Sequence, residues 1–218
     1  MPFDAAAFIR TRLHLLPVPS VPEITIHTAH SGSGLSHLLE QSAEPDPPAP
    51  YWAYPWAGGV ALARYILDHP GTVRGHRVLD LGSGSGLVAI AAAMAGAASV
   101  LAAEIDANGR VALRLNAAAN GMSVQVLDAD IVAGLPLPVD IVMAGDVFYD
   151  PAVAAPMLAF LDRCQAAGQH VLVGDPYRAA LPLQRLRRLI DYRVSDVGSA
   201  RDARAVTAGV FELCPRTA

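Results

Sequence analysis

For 23 residues, from Leu81 to Ala103, the chain carries no charged side chain. An apolar stretch of that length can cross a bilayer as one helix. It can also be a strand end, a tight turn, a helix and a second strand buried in one sheet. Gly82, Gly84, Gly86 and Gly96 divide the run in the second way, so a membrane span is rejected.

The rest of the chain repeats this alternation. Strands are expected at 77–82, 99–105, 123–129, 140–146 and 170–175, and helices at 57–69, 86–96, 107–120, 151–167 and 180–190. Two closing strands, 192–197 and 205–213, follow each other without a clear helix between them and predict an antiparallel edge hairpin. Short apolar strands alternating with helices specify an α/β fold, a mostly parallel sheet covered on both faces. Upstream, residues 3–16 carry a helical apolar face that Pro17, Pro19 and Pro22 stop, and 22–30 reads as a short strand. The segment EPDPPAP, 44–50, is a stiff connector. The expected organisation is an N-terminal extension, 1–49, and a main domain, 50–218.

Composition narrows the function. With 53% apolar and 17% charged residues, the 218-residue chain describes a core-rich globular domain, against about 25% charged for an average one. A net charge of −4 gives no basic footprint for nucleic acid. Cys164 and Cys214 stand apart with no CxxC partner, which suggests a reducing compartment. His27 and His30 lack the further ligands of a metal set, so no metal is expected. No signal peptide is visible, and the expected location is the cytoplasm. All sixteen basic residues are Arg, as codon bias in a chain rich in Ala, Gly and Arg would give.

Asp80, Glu104, Asp130, Asp146 and Asp175 all fall at or near strand ends, where open α/β sheets bind their ligands. The first of them opens DLGSGSG, 80–86, whose Gly82, Ser83, Gly84 and Gly86 form a turn that lets backbone approach a ligand. Its spacing is GxGxG rather than the GxGxxG of dinucleotide binders. A carboxylate there suits the ammonium of an amino acid, not a pyrophosphate, which needs a bare helix N-terminus. Glu104, eighteen residues after Gly86, can accept from ribose hydroxyls, and Asp130 from an adenine amino group. An amino-acid end, a ribose and an adenine without phosphates describe S-adenosylmethionine. In PYWAYPWAGG, 50–59, Trp56 is the better candidate for cofactor contact. Trp52 borders the substrate channel or is structural.

These stretches carry a resemblance. With AAEIDANG, AGDVFYD and VGDPYR, the segments PYWAYPWAGGVALARYILDHP and VRGHRVLDLGSGSGLVAIAAAMAGA resemble the seven-β-strand lysine methyltransferases, above all those acting on the electron transfer flavoprotein β-subunit. The resemblance implies a Rossmann-like seven-stranded sheet and an enzyme with a protein substrate; a monomer is expected because the sequence shows no obvious extra apolar face. It implies that Asp80 and the glycines cradle the methionine part of the cofactor, and that Asp146-Val147-Phe148-Tyr149 form the DxFY substrate-lysine motif. Bacterial relatives of this kind also look able to act on the ribosomal stalk protein. The tail beyond Arg178 resembles the family less clearly.

In this reading Asp146 attracts and orients the amine, Phe148 walls its channel and Tyr149 orients it or passes its proton to water. Asp150 is expected only to cap the helix that Pro151 begins. Asp175-Pro176-Tyr177 divides evenly between turn chemistry and substrate rim. The alternatives are a small-molecule or nucleic-acid methyltransferase, which would normally carry an NPPY or DPPY turn where GDVFYD stands, and a non-catalytic S-adenosylmethionine-binding module.

Overall fold

The structure, a computed structural model, describes residues 4–35, 49–195 and 205–216. Asp4 caps helix α1 (Ala5–Arg12) through its side chain, and the chain then turns directly into a hairpin of β1 (His14–Val18) and β2 (Val21–Thr28). The helix expected over 3–16 is therefore shorter. Its last three residues, His14 to Leu16, are strand, because they pair with β2 and Pro17 cannot continue a helix.

Helix α2 (Ala57–Asp68) leads into the main sheet. In chain order there follow β3 (Arg77–Leu81), α3 (Leu87–Met94), β4 (Ser99–Ala103), α4 (Ala107–Ala119), β5 (Gln125–Leu127) and β6 (Ile141–Gly145). The chain continues with α5 (Pro151–Ala166), β7 (His170–Asp175), β8 (Leu186–Ser195) and β9 (Ala205–Leu213). The seven strands lie in the order β5-β4-β3-β6-β7-β9-β8. The first five are parallel, and β9 is antiparallel to both neighbours. The uncharged run is thus the end of β3, a glycine turn, α3 and β4. No helix among the described residues is long and apolar enough to cross a membrane.

Alternation along β3 divides the core. Val78 faces a cluster built with α2 and α3, while Leu79 and Leu81 face a second cluster built with Phe160, Leu161 and Cys164 of α5. The N-terminal hairpin joins the first cluster through Val21, Ile24 and Ile26. Helix α4 fastens it there. Asn120 accepts from the Thr25 N–H at 2.9 Å and donates to the Thr25 carbonyl at 2.6 Å, as a neighbouring strand would. Asn116 accepts from the His27 N–H at 2.8 Å and donates to the Ser85 carbonyl at 2.8 Å, linking the hairpin to the glycine turn.

One expected helix is a strand. Residues 180–190 hold a short 3-10 turn, Leu183–Arg185, and then β8, paired with β9 from Leu186 to Ser195. The strand expected over 123–129 shortens to Gln125–Leu127. Of the closing strand expected over 192–197, residues 196 and 197 lie outside the described residues, as do 44–48 of the connector.

Candidate active site

A cavity of about 430 Å³ opens at the carboxyl ends of β3, β4 and β6, within the range of small-molecule sites. It brings together most of the residues singled out in the sequence: Trp56, Gly82, Gly84, Glu104, Asp130, Asp146 and Tyr149. They come from five separate segments, and only the sheet order makes them neighbours.

The glycine turn is held from beneath. Asp80 is 1% exposed and does not reach the cavity wall. Its Oδ2 accepts from Ser83 Oγ at 2.5 Å and from the Ala89 N–H at 3.0 Å. Asp80 and Ser83 therefore tie the turn to the start of α3, and the expectation that Asp80 itself meets a ligand ammonium is corrected: on this strand its side chain points to the α3 face. Burial pushes the Asp80 carboxyl up to about 7. Gly86 also lies off the wall; it has φ +83°, and a Cβ there would come within 2.8 Å of Leu113 on α4. Gly82 and Gly84 do line the cavity, both at positive φ, where a side chain is strained.

Glu104 Oε2 accepts from the Gly84 N–H at 2.7 Å and Oε1 from the Asp106 N–H at 2.8 Å. Burial raises its pKa, and these N–H groups oppose the rise. Each oxygen keeps a lone pair for a ligand hydroxyl. Asp130 is exposed in the same wall and accepts from the Val132 N–H at 2.9 Å. The indole Nε1 of Trp56 donates to the Tyr51 carbonyl at 2.7 Å.

Asp146 follows β6 in the left-handed region, at φ +59°. Its N–H donates to the Gly174 carbonyl at 2.9 Å, its Oδ2 accepts from the Gly59 N–H at 2.6 Å, and its Oδ1 accepts from Arg178 Nη1 at 2.5 Å. Four glycines make the approach of α2 possible. A Cβ on Gly58 would lie 2.3 Å from the Gly174 carbonyl oxygen, and one on Gly145 would lie 2.9 Å from the Gly59 Cα. Arg178 is the functional neighbour that sequence reasoning missed. Its Nη1 also reaches Asp175 Oδ2 at 3.3 Å, while its backbone N–H donates to Asp175 Oδ1 at 2.7 Å. Asp175 therefore organises the turn, and Tyr177 bonds Asp191 on β8 rather than joining the cavity wall. Burial raises the pKa of Asp146, against the charge and hydrogen bond of Arg178.

Phe148, expected as the channel wall, is fully buried in the α5-side core and is absent from the cavity lining. In the GDVFYD turn Val147 and Phe148 both pack into the core, while Tyr149 and Asp150 face outward, Tyr149 47% exposed and in the cavity wall. Tyr51 supplies the second ring instead, with centroids 5.2 Å from Tyr149 and 5.7 Å from Trp56. Burial, with Tyr51, Asp150 and Glu104 nearby, raises the pKa of Tyr149 and keeps it a phenol. Asp150 caps α5 through the Ala152 N–H at 2.7 Å, as expected.

Comparison with known proteins agrees with this geometry. Residues 64–152 match the family described as ribosomal protein L11 methyltransferase (PrmA). The electron transfer flavoprotein beta subunit lysine methyltransferase of Rattus norvegicus is 38% identical over 172 residues, covering 76% of this chain and 68% of that protein. Its Xenopus laevis counterpart is 44% identical over 153 residues, covering 67% and 62%. The chain belongs to this lysine methyltransferase family. A candidate RNA methyltransferase of Pyrococcus horikoshii shares the fold at a TM-score of 0.60 and 16% identity, covering 84% of this chain and 97% of that one. Magnesium protoporphyrin IX methyltransferase of Synechocystis PCC 6803, solved with bound S-adenosylmethionine, does so at 0.52 and 20%, covering 70% and 76%.

The lysine methyltransferase uses S-adenosylmethionine as methyl donor, and its cavity fits that molecule. A Cβ on Gly84 would stand in the cavity wall in van der Waals contact with Trp52 Cα at 3.8 Å, so the bare glycine leaves that volume to a ligand. Glu104 and Asp130 offer acceptors, and Trp56, Ile105 and Ile131 offer apolar surface. Trp52, buried in the wall, has an indole Nε1 with no acceptor among the described residues, a donor that a ligand acceptor would satisfy. No group of three or more metal-ligating side chains occurs among the described residues.

Proposed function

We propose that this methyltransferase modifies a lysine ε-amine of the electron transfer flavoprotein β-subunit, working as a monomer in the cytoplasm. The substrate is supported by the activity named for the relatives that share 38–44% of their aligned residues with it. Both cysteines are free, which agrees with a reducing compartment. The observation that carries the chemistry is the single cavity shared by Glu104, Gly82 and Asp146, which follow the neighbouring strands β4, β3 and β6.

S-adenosylmethionine, when bound, supplies an electrophilic methyl group on a sulfonium. Gly82, Gly84, Glu104, Asp130 and Trp56 are the residues that would hold it. The amine enters past Tyr51 and Tyr149, whose faces tolerate a cation at about 0.5–2 kcal/mol per contact. Asp146 attracts the ammonium, which has a solution pKa of about 10.4. Desolvation between the rings favours loss of its proton to water, and the phenolic oxygen of Tyr149 accepts from an N–H of the neutral amine, leaving the nitrogen lone pair free to face the methyl group. Most of the acceleration comes from alignment, which supplies about 7–11 kcal/mol in well-oriented systems.

Recombinant protein incubated with S-adenosylmethionine and purified flavoprotein β-subunit should add methyl groups to lysine, read by peptide mass spectrometry. A β-subunit left unmodified while another protein of the same cell extract becomes labelled would overturn the substrate. Size-exclusion chromatography at the mass of a single chain would support the monomer.

A further inference from the structure

The lysine-methylation reading leaves a difficulty that the geometry answers. A carboxylate is good at seating an ammonium and poor at releasing its proton, because it stabilises the charged form. Asp146 is not alone, however. Arg178 Nη1 lies 2.5 Å from Asp146 Oδ1 and 3.3 Å from Asp175 Oδ2. The Asp175 side chain is fully buried, that of Asp146 is 11% exposed, and that of Arg178 is 23% exposed in the cavity wall. Two carboxylates share one guanidinium, so the trio carries one net negative charge.

This point rests on the proposed lysine chemistry and deepens it. We propose that Arg178 is a positioning residue that sets the charge felt by the substrate amine: it limits the trio to one net negative charge, enough to seat the ammonium and too little to hold its proton. The other groups near the trio do not replace it. Glu104 lies across the same cavity with both oxygens on backbone N–H groups. Tyr149 stays a phenol, and Tyr177 and Arg188 are turned to Asp191 on β8. Helix α2 contributes only backbone N–H groups, those of Gly58 and Gly59.

Removing the cation and removing the second acid must then act in opposite directions. With Arg178→Gln, the trio and the amine bind protons more tightly. The acid limb of the single-turnover methylation rate on flavoprotein β-subunit should move to higher pH. At neutral pH the rate should fall about tenfold for each unit of that move, while KM does not rise. With Asp175→Asn, the limb should move to lower pH and KM should rise. The double variant has the wild-type net charge and should return the limb towards its original position. Affinity for S-adenosylmethionine, measured by calorimetry, should stay within about twofold, well under the 1.4 kcal/mol of a tenfold change.

Carbon-13 titration of the aspartate carboxyls in cofactor-free enzyme gives a reading that needs no protein substrate. The Asp146–Asp175 midpoint should rise in Arg178→Gln, and the Asp146 midpoint should fall in Asp175→Asn. Shifts in the same direction, or none, overturn the proposal. A double variant no better than Arg178→Gln also overturns it, as does cofactor affinity lost in step with activity. If Arg178→Gln does not fold, Asp175→Asn decides alone, and an unchanged or alkaline shift counts against the proposal. Failure of wild-type enzyme to methylate the β-subunit would instead remove that substrate and leave the carboxyl titration to judge Arg178.

Discussion

Asp146 is held by its backbone as much as by its charge. A left-handed φ of +59° is strained for most side chains and tolerable for Asp and Asn. Asp146→Asn therefore keeps the turn and an acceptor for the Gly59 N–H while losing the charge. A charged hydrogen bond contributes about 1.5–3 kcal/mol, so kcat/KM for the protein substrate should fall about ten- to hundredfold. Steady-state kinetics beside calorimetric cofactor binding would show it, the binding remaining near wild type. At this scale the sequence was partly readable. DLGSGSG and Glu104 could be placed because a turn glycine and a strand-end acid have local meanings. Arg178 could not, since its pairing with a residue 32 positions earlier exists only because β6 and β7 lie side by side. Phe148 was misread because adjacency in the chain does not make two aromatics share a side.

Helix α2 reaches the site through contact between glycine backbones, and this is where an element is most easily displaced. A methyl on Gly58 would meet the Gly174 carbonyl at 2.3 Å. Gly58→Ala should cost about 1–3 kcal/mol as overpacking and lower activity as the Gly59 N–H withdraws from Asp146. Scanning calorimetry and turnover measured together would reveal both losses. Helix α4 offers a second check. Asn120→Ala strands both polar groups of Thr25 and should destabilise by about 1–3 kcal/mol, seen as a lower urea midpoint. The alternation of strands and helices from 77 to 175 was legible because each buried strand is a short apolar run. LQRLRRLI, 183–190, misled because Leu183, Leu186 and Ile190 also fit a helical face. Pairing with β9, a partner invisible to local periodicity, decides for strand.

For the molecule as a whole, buried acids set the response to pH. Asp80 is pushed up to about 7, and Glu104, Asp146 and Asp175 are also raised, chiefly by burial. Between the unfolded carboxyl range near 4 and the Asp80 folded value of about 7, the native state binds more protons than the unfolded chain. Stability of the cofactor-free protein is then greatest at the acid end of that window and declines as pH rises through it. Asp140, lowered to about 2 by Arg77, loses its contribution only below the window. The unfolding temperature should be higher at about pH 5 than at about pH 8, and Asp80→Asn should flatten that slope, a difference on the order of a few kcal/mol. Thermal melts across a buffer series would test it. The sheet itself divides along one seam. Strands β3 to β5 and strands β6 to β9 meet within it only where Val78 to Leu81 lie beside Ile141 to Ala144. A lineage that trades the recipient side for another, by drift or by grafting everything after Gly145, can inherit the donor strands only if the newcomer keeps glycine at 174 and rebuilds the α5 packing on Leu79 and Leu81.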